Sequence, residues 1–201
     1  MELRLLAHYM KDPEYTKEIV NGDIHTVNQR AAGLPDRDTS KTFIYAFLYG
    51  AGDEKLGKLV GGRRSRGTEL RKSFLASTPA LADLQDRIRK RGSSGTIRGL
   101  DGRCLEIRSE HASLNTLLQA AGAIVMKQAL ILLDKFAREW KINYSFVGNI
   151  HDEIQTEVQA DQADKFGHLA VSCIEAAGLH FNLRCPLTGE YHVGNNWSET
   201  H

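Results

Sequence analysis

The chain has 201 residues, 41% of them hydrophobic and 25% charged, with a formal net charge of +1, a balance that excludes a disordered polymer and allows one large domain or two small ones. Its three cysteines, Cys104, Cys173 and Cys185, match no zinc or disulfide spacing and read as reduced cytosolic thiols. The sequence carries no signal peptide, and the apolar run near Ala129 to Leu133 is far too short for a bilayer, so the expectation is a soluble, cytoplasmic protein with no membrane partner.

Taken in order, Glu2 to Met10 has helical apolar spacing but no capping residue before it. Asp12-Pro13 opens a second helix that ends at Gly22, and Asp23-Ile-His-Thr26 opens a third that runs to about Ala32. Asp36 to Gly50 is predicted as a helix capped by Asp36 and stopped by Gly50. Arg37, Lys41 and Tyr45 lie at i, i+4 and i+8 on one of its faces, while Phe43, Ile44 and Phe47 point elsewhere. Two cations near a helix N-terminus with an aromatic ring one turn on can grip a phosphate chain and cover a sugar or base. The same pattern also fits an amphipathic surface helix with basic decoration.

Further helical patterns run from Asp53 to Val60, from Gly67 to Ala76, and from Thr78, read as an N-cap, to about Lys90, with Gly61-Gly62 and Gly92-Ser-Ser-Gly95 as joints. The basic residues concentrate here. Lys55 to Lys72 holds seven Lys or Arg against one Glu, and Arg87, Arg89, Lys90, Arg91 and Arg98 follow, a distribution that suits either phosphate contact or solvated helix faces. Thr96 to Ile107 reads as a hairpin turning at Asp101-Gly102. A long helix from about Ala112 to Trp140 places Asn115 and Gln119 on one stripe with His111 a turn back, either a base-reading edge or an ordinary polar stripe.

Asn143 to Val158 alternates with period two on both sides of His151-Asp152-Glu153, the signature of a hairpin with a carboxylate pair at its tip. Rigidly placed oxygen ligands suit Mg²⁺ in phosphoryl transfer, whereas a solvated acidic turn would need no ligand at all. Ala160 to Ala177 is predicted as a helix, and Leu183 to Trp197 as a short terminal hairpin broken at Gly189.

Taken together, these motifs resemble the C-terminal part of a family-A DNA polymerase, the bacterial DNA polymerase I group, and most closely its phage replicative branch. Arg37 to Gly50 resembles motif B of the fingers, and Ile150-His-Asp-Glu-Ile154 resembles motif C of the palm. Glu2-Leu-Arg-Leu5, Gly22 to Thr26, Leu48 to Gly52 and Asn115 to Gln119 have counterparts in the same order. The resemblance implies an α+β fold: residues 1–22 starting the palm, a mostly helical fingers subdomain over 23–95 inserted in it, and 96–201 as partial palm with a small antiparallel sheet.

It further implies a DNA-directed DNA polymerase that uses Mg²⁺, primer-template DNA and deoxynucleoside triphosphates. Arg37, Lys41 and His25 would hold the triphosphate, and Tyr45 would stack on sugar and base. Glu2 would pair with Tyr45 where a ribose 2′-hydroxyl would sit. Asp152 would bind metal with Glu153 beside it, Asn115, Gln119 and His151 would meet the minor groove, and Tyr49 the template. The family's first metal-binding aspartate, in an Asp-x-Ser-x-x-Glu-Leu-Arg motif, would precede Met1, as would the thumb. The expectation is therefore a split or truncated enzyme that needs an upstream fragment, or else a non-catalytic DNA- or nucleotide-binding remnant.

Overall fold

The structure, a computed structural model, describes residues 1–200. Helices α1 (Glu2–Met10), α2 (Pro13–Asn21), α3 (Ile24–Ala32), α4 (Arg37–Leu48), α5 (Asp53–Lys58), α6 (Arg64–Ser77) and α7 (Pro79–Gly92) lead to a hairpin, β1 (Thr96–Arg98) and β2 (Cys104–Glu106). The long helix α8 (Ser113–Glu139), the hairpin β3 (Tyr144–Ile150) and β4 (Glu153–Val158), α9 (Ala163–His180) and a final turn α10 (Trp197–Thr200) complete the chain. The architecture is α+β, predominantly helical with two separate two-stranded antiparallel sheets, as the motifs implied.

Side-chain caps set several boundaries. The Asp12 carboxylate accepts from the amides of Glu14 and Tyr15 with Pro13 following, Asp23 accepts from His25 N, and Asp36 accepts from Thr39 N at 2.7 Å. Thr78 departs from expectation: its hydroxyl turns back onto the Phe74 carbonyl and caps nothing in α7. A Thr at the junction of two helices can satisfy either one, and here the preceding turn lies closer.

Phe43 and Phe47 of α4 meet Phe74 of α6 edge to face at 5.5 and 5.2 Å, all three rings buried. Fully burying each contributes about 1.5–3 kcal/mol. That burial fixes the rotation of α4, so Arg37 and Lys41 lie on its exposed side. Leu118 and Val125 of α8 and Leu5 and Leu6 of α1 continue the same core. A second core, formed by Leu133, Ala137, Phe166, Leu169 and Cys173, lies between α8 and α9, with Tyr144, Ile154 and Val158 of the β3–β4 hairpin packed against it. Among the described residues α8 is the one helix long and apolar enough by composition to cross a membrane. Leu114, Leu117, Leu118, Ala121, Val125 and Ala129 enter the first core and Leu133 and Ala137 the second, while Ile131 is 62% exposed.

The β3–β4 pairing is interrupted by a bulge between Phe146 and Gly148, which leaves Val147 72% exposed. The terminal hairpin expected between Leu183 and Trp197 does not form: the segment has no strand and runs as an irregular strap over α9. Leu187 lies against Gly178 and Tyr191 over Gly167, so the alternating side chains fill the helix surface and make no cross-strand pairs.

The strap also clasps α1. Arg184 N donates to His8 Nδ1 at 3.2 Å, and Arg4 Nη1 donates to the Pro186 carbonyl at 2.5 Å. Burial, then the charges of Arg184 and Lys11, hold the His8 imidazole below its ordinary value of 6.5. The unfolded chain therefore binds the extra proton first, and stability is present above that value and lost as pH falls from 6.5 toward the folded value. Urea unfolding at neutral and acidic pH is expected to show this loss. His8→Gln should flatten part of it; His25, whose shift has the same direction, contributes in the same window, and carboxylates held below their usual range, Asp23 and Asp53 among them, add slope at lower pH.

Candidate nucleotide and metal site

Four of the expected residues gather at the start of α3 and along α4. The His25 and Tyr45 rings lie 6.5 Å apart, and the Arg37 and Lys41 charges, after burial and together with that of Asp23, act on the His25 imidazole, with a net fall in its basicity. His25 Nδ1 is buried with no hydrogen-bond partner among the described residues. Arg37 is not idle: its Nε donates to Asp23 Oδ2 at 2.8 Å, and this bond holds the Asp23 carboxyl well below the usual carboxylate range. Asp23 was not singled out in the sequence, although its place two residues before His25 marks it as a cap. It closes α3 onto α4 and leaves the Arg37 guanidinium oriented at the helix N-terminus.

A second group converges below Tyr45. The Tyr49 hydroxyl donates to Glu2 Oε1 at 2.7 Å, and Gln119 Nε2 donates to the same oxygen. Burial and that carboxylate push Tyr49 up to about 12. The expected pairing of Glu2 with Tyr45 is thereby corrected to Tyr49, one turn further along. α1 and α8 bring Glu2 and Gln119 to the lower end of α4, and a Tyr45 bond would require Glu2 to climb a turn. Tyr45 remains close enough for the charges of Glu2 and Asp152, after burial, to raise its hydroxyl. The Tyr45 and Tyr49 rings stand 6.3 Å apart, so they form one aromatic ledge. Asn115 lies a turn before Gln119, its Oδ1 buried and without a hydrogen-bond partner among the described residues. His111 sits in a separate 3₁₀ turn, Glu110–Ala112, so it shares neither residue's helix.

Asp152 occupies the two-residue turn closed by the Ile150–Glu153 pair, with His151 in the left-handed region at φ 56°. A non-glycine residue held there marks a turn whose geometry is fixed by its surroundings. The Met1 ammonium lies 3.5 Å from Asp152 Oδ2, so the backbone entering α1 passes beside this carboxylate. Glu153 Oε1 accepts from Trp197 Nε1 at 3.3 Å and from Gln155 Nε2 at 2.5 Å. Among the described residues no group of three or more His, Cys, Asp or Glu could hold a metal ion. The carboxylates of Asp152 and Glu153 are oxygen donors of the kind Mg²⁺ takes.

Behind α4, a cleft of about 490 Å³ is lined by Gly50, Gly52, Arg64, Arg71, Arg89 and His111. Arg71 is bound there to Asp53 at 2.6 Å, so part of the basic stretch around Lys55 to Lys72 builds structure.

A helical layer carrying a cationic helix, set on a small antiparallel hairpin with an acidic tip, defines the fold of a polymerase fingers and partial palm. The chain belongs to DNA polymerase family A, which matches residues 1–199. It is 43% identical to the DNA-directed DNA polymerase of Enterobacteria phage T3 and 42% identical to that of Escherichia phage T7, over the whole of this chain and 32% of each relative. DNA polymerase I of Geobacillus stearothermophilus is 26% identical over 98% of this chain and 25% of its own length. The chain thus spans about a third of the phage relatives. Among solved structures, the polymerase domain of Pol1 from M. smegmatis, in complex with DNA primer-template and dNTP, superposes with a TM-score of 0.80 at 20% identity, over 92% of this chain and 36% of that one.

Proposed function

We propose that this chain supplies the fingers, over residues 23–95, and part of the palm, over 1–22 and 96–201, of a DNA-directed DNA polymerase that adds deoxynucleotides to a primer 3′ end. The observation that carries the reading is the convergence of His25, Arg37, Lys41 and Tyr45 on one face, the two cations exposed and the two rings half-buried, above Glu2 and Asp152. Arg37 and Lys41 neutralise the triphosphate, and the Tyr45–Tyr49 ledge covers the sugar and base. Gln119 and Tyr49 hold Glu2 at the sugar edge. Asn115, Gln119 and His151 face the primer terminus, and Tyr49 the template.

Asp152 and Glu153 would hold Mg²⁺ from one side, and when bound the ions neutralise phosphate charge and align the primer hydroxyl. A second carboxylate, on a strand leading into α1, completes the set, because residue 1 already lies beside Asp152. The open edge of β3, which pairs only with β4 among the described strands and carries the partly exposed Phe146, Val147 and Ile150, suits an added strand. A polypeptide carrying that strand and the thumb is therefore the proposed partner, alongside primer-template DNA and dNTPs, in the cytoplasm of a bacterial host. The alternative, a DNA- or nucleotide-binding remnant without catalysis, draws on the one-sided metal donors.

Nucleotide titration in the presence of primer-template tests the reading. Lys41→Ala is expected to weaken dNTP binding by about 1.5–3 kcal/mol, the range for hydrogen bonds to charged groups. An unchanged dissociation constant with helicity intact by circular dichroism would remove Lys41, and with it the triphosphate site.

A further inference from the structure

The Asp23 carboxylate does more than cap α3. Its Oδ1 accepts from His25 N at 3.2 Å, which is the cap, while its Oδ2 accepts from the Thr26 hydroxyl at 2.8 Å and from Arg37 Nε at 2.8 Å. The group is thereby fixed to the first turn of α3. From there it reaches across 14 positions of sequence to the first residue of α4. A guanidinium carries five N–H donors, and here the one on Nε is taken while the two terminal amino groups have no hydrogen-bond partner among the described residues. The Arg37 and Asp23 side chains are 53% and 43% exposed, and an ion pair so open to water adds little to stability. What the pair sets is a direction.

We infer that Asp23 is a positioning residue for Arg37, holding the guanidinium by its Nε so that the paired terminal amino groups face an anion at the N-terminus of α4. The inference rests on the triphosphate reading of that surface and adds to it a residue that touches no nucleotide. Two parallel N–H groups on one rigid plane match two oxygens of a phosphate, whereas an untethered arginine samples many rotamers before it offers that edge. The sign of the effect separates this role from plain charge. A carboxylate beside a polyphosphate repels it, so if charge alone mattered, neutralising Asp23 would tighten binding. Positioning demands the opposite.

Asp23→Asn is the informative variant, because asparagine caps a helix as well as aspartate does but has one acceptor oxygen for the three donors now held. Titrated with dATP in the presence of primer-template, and separately with inorganic tripolyphosphate, the variant is expected to bind both about ten-fold more weakly than wild type. In an Arg37→Ala background the same substitution should weaken neither further. Thr26→Val keeps the Asp23 charge and cap but removes one hold on Oδ2, and should weaken binding in the same direction by about two-fold. In the ¹⁵N-labelled chain the Arg37 Nε–H resonance, identified by its loss in Arg37→Lys, should exchange slowly with solvent in wild type and quickly in Asp23→Asn. Unchanged or tighter binding by Asp23→Asn, or a loss that persists in full without Arg37, overturns the inference and leaves the triphosphate site standing on the wild-type affinity. Binding of neither probe by the wild-type chain removes that site, and this inference with it.

Discussion

Primer extension is expected from this chain only together with a polypeptide that supplies a second carboxylate, and Asp152→Asn in that assembly is expected to reduce it by about a thousand-fold or more. Asp152 sits on a two-residue turn whose backbone is fixed by the Ile150–Glu153 pair, so its carboxylate cannot migrate to compensate for a missing ligand. Among the described residues no group of three acids or other ligands gathers around it. Asp101 is bound to Arg103 on the β1–β2 turn, Asp53 to Arg71 and Thr68 behind α4, and Glu2 to Tyr49 and Gln119. Each of these carboxylates already has a partner whose loss would cost stability. The isolated chain should therefore bind primer-template weakly through its basic helices and extend it with neither Mg²⁺ nor Mn²⁺. Asp152→Asn should leave assembly with the partner intact, because the side chain is 58% exposed and the replacement keeps its size. Gel-resolved extension and co-purification measure the two properties separately. Robust extension by the isolated chain would show that the metal site is built from other residues.

What could be read from the sequence followed a simple physical boundary. The two faces of α4 were legible because three phenylalanine-or-isoleucine positions and three polar ones recur at helical spacing, and burial of Phe43 and Phe47 then leaves Arg37 and Lys41 no place but solvent. The acidic hairpin was legible because period two persists on both sides of a short polar turn. Contacts between distant elements were not. Whether Glu2 meets Tyr45 or Tyr49 depends on the height at which α1 and α8 cross α4, which no local pattern encodes. The Asp23–Arg37 bond looked like a cap and nothing more, since a capping carboxylate can serve a neighbouring helix with its second oxygen. The strap after α9 read as strands because its apolar residues alternate, yet Leu187 and Tyr191 alternate to fit glycines on a helix. Trp197 gave no signal at all, because its partner lies 44 residues away.

Gly67→Ala is expected to destabilise the helical layer by about 3 kcal/mol, at the upper end for overpacking. Helix propensity argues the other way: Ala in a helix interior is favoured over Gly by about 1 kcal/mol. The outcome is decided by what the new methyl would strike. A Cβ on Gly67 would lie 1.8 Å from the Asp53 carbonyl oxygen and 2.7 Å from Gly57 N, and both are backbone atoms that no rotamer change can move aside. Gly57 meets the same contact from the other side, its own Cβ falling 2.1 Å from the Arg63 carbonyl oxygen. α5 and α6 thus touch backbone to backbone, and they are tied there by Asp53, which accepts from Thr68 at 2.8 Å and Arg71 at 2.6 Å. Separating the helices enough for one methyl would strain both of those bonds and shift Phe74, the ring on which α4 rests. Gly52→Ala is the control, since its Cβ meets nothing within 4 Å and its backbone is extended, so its cost should stay within about 1 kcal/mol. Urea unfolding followed by circular dichroism compares the two variants. Equal stability of Gly67→Ala and Gly52→Ala would mean that α5 and α6 are not in backbone contact, and would leave the rotation of α4, and with it the aim of Arg37 and Lys41, without its support.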